Sequence, residues 1–223
     1  MMSVVCALVS CVVIFVVVAA GLCAIARWDV PLLLERCHVA LISVGIFAEG
    51  IWISRILEGH SILTHFLMGI FAGSLLLACI TDSFLYQVHF FAWWIGAVAG
   101  IWLWVAVWNG SMKSSSVWSS LGELLVFGVL QYGVFDRTYG RADCHAFFTC
   151  ALVETALGAG MEMYLMQMIL AYLLLIPVQL GRRNITKRGR LQCPVPFLPY
   201  INISFWLTLE CIDFGCFFGG KML

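Results

Sequence analysis

Apolar runs long enough to cross a lipid bilayer follow one another along most of this chain. The hydrocarbon core of a bilayer is about 30 Å thick, so an α-helix needs about 20 apolar residues to span it. Runs of this length predict transmembrane helices. The sequence therefore predicts an all-α, polytopic membrane protein that is embedded in the lipid bilayer.

Composition excludes two other classes of protein. Hydrophobic residues make up 63% of the chain and charged residues 11%, whereas an average soluble domain carries about 25% charged residues. A soluble domain with one membrane anchor does not fit these values. The net charge is zero, and nucleic-acid binding usually requires clustered Lys and Arg, so no nucleic-acid partner is predicted.

Eight segments have the length of a membrane span, at residues 3–26, 38–57, 62–81, 87–108, 117–135, 144–158, 161–180 and 199–218. Residues 144–180 would form a helix about 55 Å long if it were continuous, so this run is divided at Gly158-Ala159-Gly160 into the sixth and seventh segments. The first segment is longer than the apolar core of a secretory signal, roughly 7–15 residues, and is predicted to be a retained helix. Residues 1–223 are predicted to form a single domain.

The positions of the basic residues predict the orientation. With the N-terminus outside, nine cations fall on the inner side and three on the outer side, which is the bias expected of cytoplasmic loops. The inner residues are Arg27, Arg36, Arg137, Arg141, Arg182, Arg183, Lys187, Arg188 and Arg190, and the outer residues are Arg55, Lys113 and Lys221.

Two pairs of glycines predict close helix packing. Gly69 and Gly73 are four residues apart in the third segment, and Gly96 and Gly100 repeat this spacing in the fourth. Small residues at this spacing let the backbones of two helices approach closely. The third segment is therefore predicted to lie in the interior of the bundle.

Asp82 and Asp143 lie at the edges of apolar segments, where carboxylates are rare and usually face the bundle interior or a watery cavity. The predicted topology brings both to the cytoplasmic side. A structural explanation exists for Asp143, because Asp is favoured as the N-cap of a helix. Asp82 follows its own helix, where the helix dipole repels an anion.

Two carboxyl groups at one site predict acid–base chemistry. Because two neighbouring carboxylates do not ionise easily together, one keeps a proton while the other stays charged. The charged group can take a proton from water, and the protonated group can donate one to a peptide carbonyl or leaving amine. This is aspartic proteolysis, with Asp82 and Asp143 as the catalytic pair.

Three sequence segments carry a family resemblance. Gly140-Arg141-Ala142-Asp143 resembles the G-x-G-D motif of type IV prepilin leader peptidases, Ile80-Thr81-Asp82-Ser83 resembles the site of their first aspartate, and residues 194–200 are similar to their I-P-F-x-P-F segment. The resemblance extends over about residues 38–218. Ala142 stands where the family motif has its second glycine.

The resemblance implies an activity and a location. It implies a hydrolase of the bacterial inner membrane that cleaves the leader of prepilins or pseudopilins at the cytoplasmic face, with Asp82 and Asp143 as catalytic residues and Gly140, Arg141 and Ala142 as loop support. The chain contains no C-x-x-C, so no zinc or other cofactor is predicted. A catalytically inactive relative that binds pilin-like helices is the alternative.

Glu154 is a further candidate. It follows Asp143 by eleven residues, which returns it to nearly the same helix face about 16 Å deeper. It is interpreted either as a group that hydrates the cavity beneath the aspartates or as a protonated acid that is hydrogen-bonded inside the bundle. Glu49 and Glu210 could join Glu154 in an ion pathway, so a small transporter is a third hypothesis.

Overall fold

The structure, a computed structural model, describes residues 2–28, 36–111, 114–186 and 195–213. These residues form helices and no β-strand. The helices are α1 (Met2–Trp28), α2 (Arg36–Ile56), α3 (Ile62–Leu85), α4 (Phe90–Ser111), α5 (Ser114–Leu130), a π-helical segment (Gln131–Phe135), α6 (Asp136–Tyr139), α7 (Arg141–Ala156), α8 (Met161–Thr186) and α9 (Leu198–Asp213).

Each of the eight predicted segments corresponds to one of these helices, with α6 as an addition. Five of them, α1, α2, α3, α4 and α8, are long and apolar enough to cross a bilayer. α5, α7 and α9 have 17, 16 and 16 described residues. Lys113, residues 187–194 and Lys221, which the orientation argument used, lie outside the described residues.

α3 forms the centre of the bundle, as its glycines predicted. In its most apolar stretch, 72% of the residues are buried, compared with 28–33% in the other four apolar helices. α1 packs along α3 at the predicted glycines: a Cβ atom built on Gly69 would lie 3.2 Å from the Cβ atom of Val13, and one on Gly73 would lie 2.9 Å from that of Val17. These helices touch through backbone and short side chains.

The second glycine pair places α4 between α3 and α7. A Cβ atom on Gly96 would lie 2.7 Å from Ser74 Oγ on α3, and one on Gly100 would lie 3.0 Å from Leu152 Cδ2 on α7. α9 then packs against α8, α3 and α7. The result is a core of aliphatic and aromatic side chains shared by both halves of the chain.

Local signals fix the ends of the central helices. The Ser61 hydroxyl accepts a hydrogen bond from the Thr64 N–H and caps the start of α3, while Tyr86, with φ of +53°, ends it. α3 therefore continues past the predicted end at residue 81 and includes Asp82. The predicted break between the sixth and seventh segments is confirmed, since Gly158 has φ of +87° and α8 begins at Met161.

Candidate active site at one end of the bundle

The structure brings Asp82 and Asp143 to the same end of the bundle. A short loop joins the end of α3 to the start of α4, where the ring of Phe90 lies 6.1 Å from that of His145. His145 belongs to the second turn of α7, two residues after Asp143. The end of α3 and the starts of α4 and α7 therefore meet.

Asp82 is held by the start of α9. One of its carboxylate oxygens, Oδ2, accepts a hydrogen bond of 3.1 Å from the backbone N–H of Leu198, the first residue of that helix. The free N–H groups and the positive end of a helix dipole both favour a carboxylate at this position. Asp82 lies in the last turn of α3, but its carboxylate interacts with the positive N-terminal end of α9.

Asp143 is less constrained. It is the third residue of α7, and the N-cap is Gly140, without a side-chain hydrogen bond. The interpretation of Asp143 as the cap is therefore wrong, because the helix begins at Arg141, three residues earlier than predicted. Its carboxylate accepts no hydrogen bond from the described residues, and it is partly buried.

The environment of Asp143 favours its protonated form. Asp143 precedes the predicted span at 144–158 and lies in none of the five long apolar helices. Burial raises its pKa to about 7, and the negative charge of Asp82 adds to the rise. The charge of Asp82 at the end of α3 therefore acts on Asp143 at the start of α7.

Aromatic side chains form one wall beside Asp143. The Phe197 ring lies 5.1 Å from that of Tyr172 and 6.0 Å from that of Phe147, and Tyr139 contacts all three rings. Tyr139 and Tyr172 both lie within the electrostatic reach of Asp143. The Tyr139 hydroxyl donates to Gln131 Oε1 in the π-helical segment, which holds this ring in place.

Gly140, Arg141 and Ala142, the predicted motif residues, differ in backbone conformation and in contacts. Gly140 has φ of +92°, a conformation that side chains other than glycine rarely adopt. Ala142 lies within α7, and Tyr86 is the one non-glycine residue with positive φ among the described residues. The methyl group of Ala142 therefore needs no unusual backbone. Arg141 pairs with Asp136, at 3.5 Å, and its side chain is largely exposed.

Glu154 lies on α7 with its side chain completely buried. Neither carboxylate oxygen has a hydrogen-bond partner in the described part of the chain. The predicted hydrogen-bonded acid is thus buried, but the partner expected for it is not found among these residues.

The other two acids of the ion-pathway hypothesis lie between α2 and α9. Glu49 Oε1 accepts a hydrogen bond of 2.7 Å from Asn202 Nδ2, and Glu210 accepts one from Trp52 Nε1 and lies 3.6 Å from Arg55 Nη1. Glu210 therefore has an ion-pair partner. Across the described ranges, no group of three His, Cys, Asp or Glu side chains is placed to hold a metal ion.

Sequence reasoning missed several residues at this site. Leu198 acts through its backbone N–H, which any residue type supplies, although it lies within the segment 194–200 that carried the resemblance. Tyr139 adjoins Gly140, and this proximity was the one available signal for it. Tyr172 belongs to an apolar helix, and nothing in its local sequence indicates that it faces Asp143.

The described fold is that of an all-helical protein with five helices apolar and long enough for multiple membrane crossings. The carboxyl groups of Asp82 and Asp143 lie at one end of its bundle in different environments. Comparison of the chain with family models, curated proteins and solved structures finds no match.

Proposed function

We propose that this protein is a membrane-embedded aspartic endopeptidase that cleaves the leader of type IV prepilin-like or pseudopilin proteins at the cytoplasmic face of a bacterial inner membrane. One observation carries the proposal: Asp82 in the last turn of α3 and Asp143 in the first turn of α7 lie at the same end of the bundle, where the charge of Asp82 adds to the raised pKa of Asp143. The segment 195–200, which resembles a third family motif, adjoins the same site through Leu198.

The two surroundings support different roles for the two acids. The Leu198 N–H stabilises a negative charge on Asp82, so Asp82 is the general base that takes a proton from the attacking water. Asp143 retains a proton near neutral pH and is the general acid that donates it to the leaving amine. The peptide bond is hydrolysed without a covalent enzyme intermediate.

The depth of the pair suits a substrate that is itself a membrane helix. Asp82 lies in the last turn of an apolar helix long enough to span the bilayer. A substrate helix lying beside the bundle would present the peptide bond just before its apolar segment at this level. The aromatic wall formed by Tyr139, Phe147, Tyr172 and Phe197 would contact the apolar residues that follow this bond.

Co-expression with a type IV prepilin tests the proposal. Wild type is expected to shorten the prepilin by its leader, whereas Asp82→Asn and Asp143→Asn, which keep side-chain size, are expected to lose cleavage. Asp136→Asn is the matched control, because Asp136 is an acid at the same end that pairs with an exposed arginine. Full cleavage by either pair variant would refute the dyad.

The inactive-relative alternative predicts a different result. It requires that wild type cleaves no prepilin and that Ala142→Gly restores cleavage. Because Ala142 lies in an ordinary helical turn, the expected outcome is that Ala142→Gly cleaves at the wild-type rate. A gain of activity in that variant would support the alternative.

A further inference from the structure

The start of α9 supplies the N–H group that holds Asp82, so whatever fixes this helix also fixes that carboxylate. The Leu198 N–H donates to Asp82 Oδ2 at 3.1 Å. Pro199, the next residue, has no N–H, and the N–H groups of the two residues after it donate to the Phe197 carbonyl. The Leu198 N–H therefore remains for Asp82, and its position depends on how α9 is held.

Asn202, one helical turn after Leu198, joins α9 to α2. Its Nδ2 donates to Glu49 Oε1 at 2.7 Å, and its Oδ1 accepts a hydrogen bond of 3.0 Å from Trp206 Nε1. Because an indole N–H can only donate, Trp206 fixes the orientation of the amide and leaves its NH2 group for Glu49. Glu49 and Asn202 are both buried, so this contact lies inside the bundle.

Two further contacts hold α9 along its length. Trp52 on α2 donates from Nε1 to Glu210 near the end of α9, and the Trp52 ring stacks on that of Trp206, with the centroids 6.1 Å apart. Gln167 on α8 donates from Nε2 to the Ile201 carbonyl at 3.5 Å. A slide of α9 along its axis would break these hydrogen bonds and leave buried polar groups unpaired, which is costly.

We propose that the hydrogen bond between Glu49 and Asn202, which we call the clamp, sets the position of the Leu198 N–H and thereby that of the Asp82 carboxylate. Glu49 and Asn202 are then positioning residues, since they act through α9 and not on the substrate. Their catalytic effect rests on the proposed peptidase activity, in which Asp82 takes the proton from water. A misplacement of about 1 Å at a reacting group can lower the rate about 100-fold, so a small movement of α9 is measurable.

Nuclear magnetic resonance of the full chain in detergent tests the clamp without any substrate. Phenylalanine labelled with 13C at its carbonyl and leucine labelled with 15N select the three Phe-Leu peptide bonds, at residues 66–67, 84–85 and 197–198. The signal that a Leu198→Ile variant lacks belongs to Leu198. An amide proton bonded to a carboxylate resonates downfield, and Asp82→Ala gives the position of the Leu198 signal without that acceptor.

Two substitutions of Glu49 form a matched pair. Glu49→Met has a similar length but no oxygen to accept the Asn202 N–H, so the Leu198 amide proton is expected to move upfield toward its position in Asp82→Ala. Glu49→Gln keeps the accepting oxygen, and the signal is expected to stay in place. With a prepilin, Glu49→Met is expected to lower kcat about 10–100-fold at unchanged KM, whereas Glu49→Gln cleaves like wild type. Thr208→Val is the control, because it removes a buried α9 hydroxyl that has no hydrogen-bond partner among the described residues.

Asn202→Leu removes the donor of the clamp and gives a second test, so the result does not depend on the folding of one variant. A Leu198 signal that keeps its wild-type position in Glu49→Met and Asn202→Leu would overturn the clamp, as would an equal shift in Thr208→Val. A wild-type kcat in Glu49→Met would remove its catalytic role. If the Leu198 signal moves as expected while wild type cleaves no prepilin, the clamp is supported and the proposed peptidase activity is refuted.

Discussion

Asp82 and Asp143 have identical side chains, and their different surroundings give them different chemistry. Asp82 receives a backbone N–H from the start of α9, which stabilises its negative charge. Asp143 accepts no hydrogen bond within the described residues, and burial together with the charge of Asp82 raises its pKa to about 7. In the proposed mechanism, this asymmetry makes Asp82 the base and Asp143 the acid before any substrate binds.

This assignment predicts a falling activity above neutral pH. If Asp143 is the acid, it must be protonated, and its protonated fraction decreases as pH rises through its pKa of about 7. The rate constant kcat/KM for peptide cleavage is then expected to fall about tenfold for each pH unit above that value. The measurement uses a detergent-solubilised enzyme and a leader peptide without groups that titrate in this range.

His145 provides the control for the pH profile, since it is a second titratable group two residues from Asp143, and burial lowers its pKa. Its Nδ1 lies 2.7 Å from the Tyr132 hydroxyl, and neither aspartate is its hydrogen-bond partner. His145→Gln is therefore expected to keep the same descending limb. A wild-type rate that stays constant on the alkaline side of neutrality would contradict the role of Asp143.

At the residue scale, the sequence predicted that Asp82 and Asp143 lie at one end of the bundle but not how each is held. The apolar segments and their number were sufficient to bring Asp82 and Asp143 to one end, because membrane spans leave few topologies. The partner of Asp82 is 116 residues away along the chain, and it is a backbone group. No residue pattern near Asp82 specifies such a contact. The sequence argument considered only the dipole of α3, which repels the Asp82 carboxylate, and missed the N-terminus of α9, which stabilises it.

At the scale of helices, carboxylates from other parts of the chain cap two helix starts. Asp82 on α3 accepts the Leu198 N–H of α9, and Glu123 on α5 accepts the Met161 N–H of α8. The first N–H groups of a helix have no partner within the helix, so a buried helix start needs one from elsewhere in the protein. The two acids therefore stabilise the packing of α8 and α9, in addition to any chemistry.

Close packing of α1 on α3 predicts a sharp effect of one methyl group. A Cβ atom at Gly73 would lie 2.9 Å from Val17 Cβ and 3.2 Å from Ile14 Cα, neither of which is the mobile end of a side chain. Gly73→Ala is expected to destabilise the protein by about 1–3 kcal/mol through overpacking. Thermal unfolding in detergent measures the effect as a lower midpoint temperature.

Gly122 supplies the matched comparison within α5. A Cβ atom there would meet nothing within 4 Å, so Gly122→Ala is expected to stabilise its helix by about 0.5–1 kcal/mol through higher helix propensity. A loss of stability in Gly73→Ala together with a gain in Gly122→Ala would support the close packing of α1 on α3 at Gly73. Equal stability changes would show that α1 does not pack on α3 at this distance.

For the whole molecule, the lengths of the apolar segments and the break at Gly158-Ala159-Gly160 predicted the positions of eight helices. The three shorter helices, α5, α7 and α9, were also predicted as membrane spans, but they are not among the five that are long and apolar enough. α7 begins before its apolar run, and the described part of α9 ends at Asp213. The π-helical segment and α6 were not predicted, because a local change in helical winding is set by contacts such as Tyr139 with Gln131.

The orientation of the bundle is the last property that can be tested, and it decides which compartment the acid pair faces. The loop at residues 58–61 joins α2 to α3, and the loop at 86–89 joins α3 to α4 next to Asp82, so the two loops lie at opposite ends of α3. The excess of basic residues predicts that residues 86–89 are cytoplasmic. A protease site inserted at 58–61 should therefore be cleaved from outside in spheroplasts, whereas one at 86–89 should be cleaved only after the membrane is opened. The reverse pattern would place Asp82 and Asp143 outside the cytoplasm, where the basic leader of a membrane-inserted prepilin does not reach.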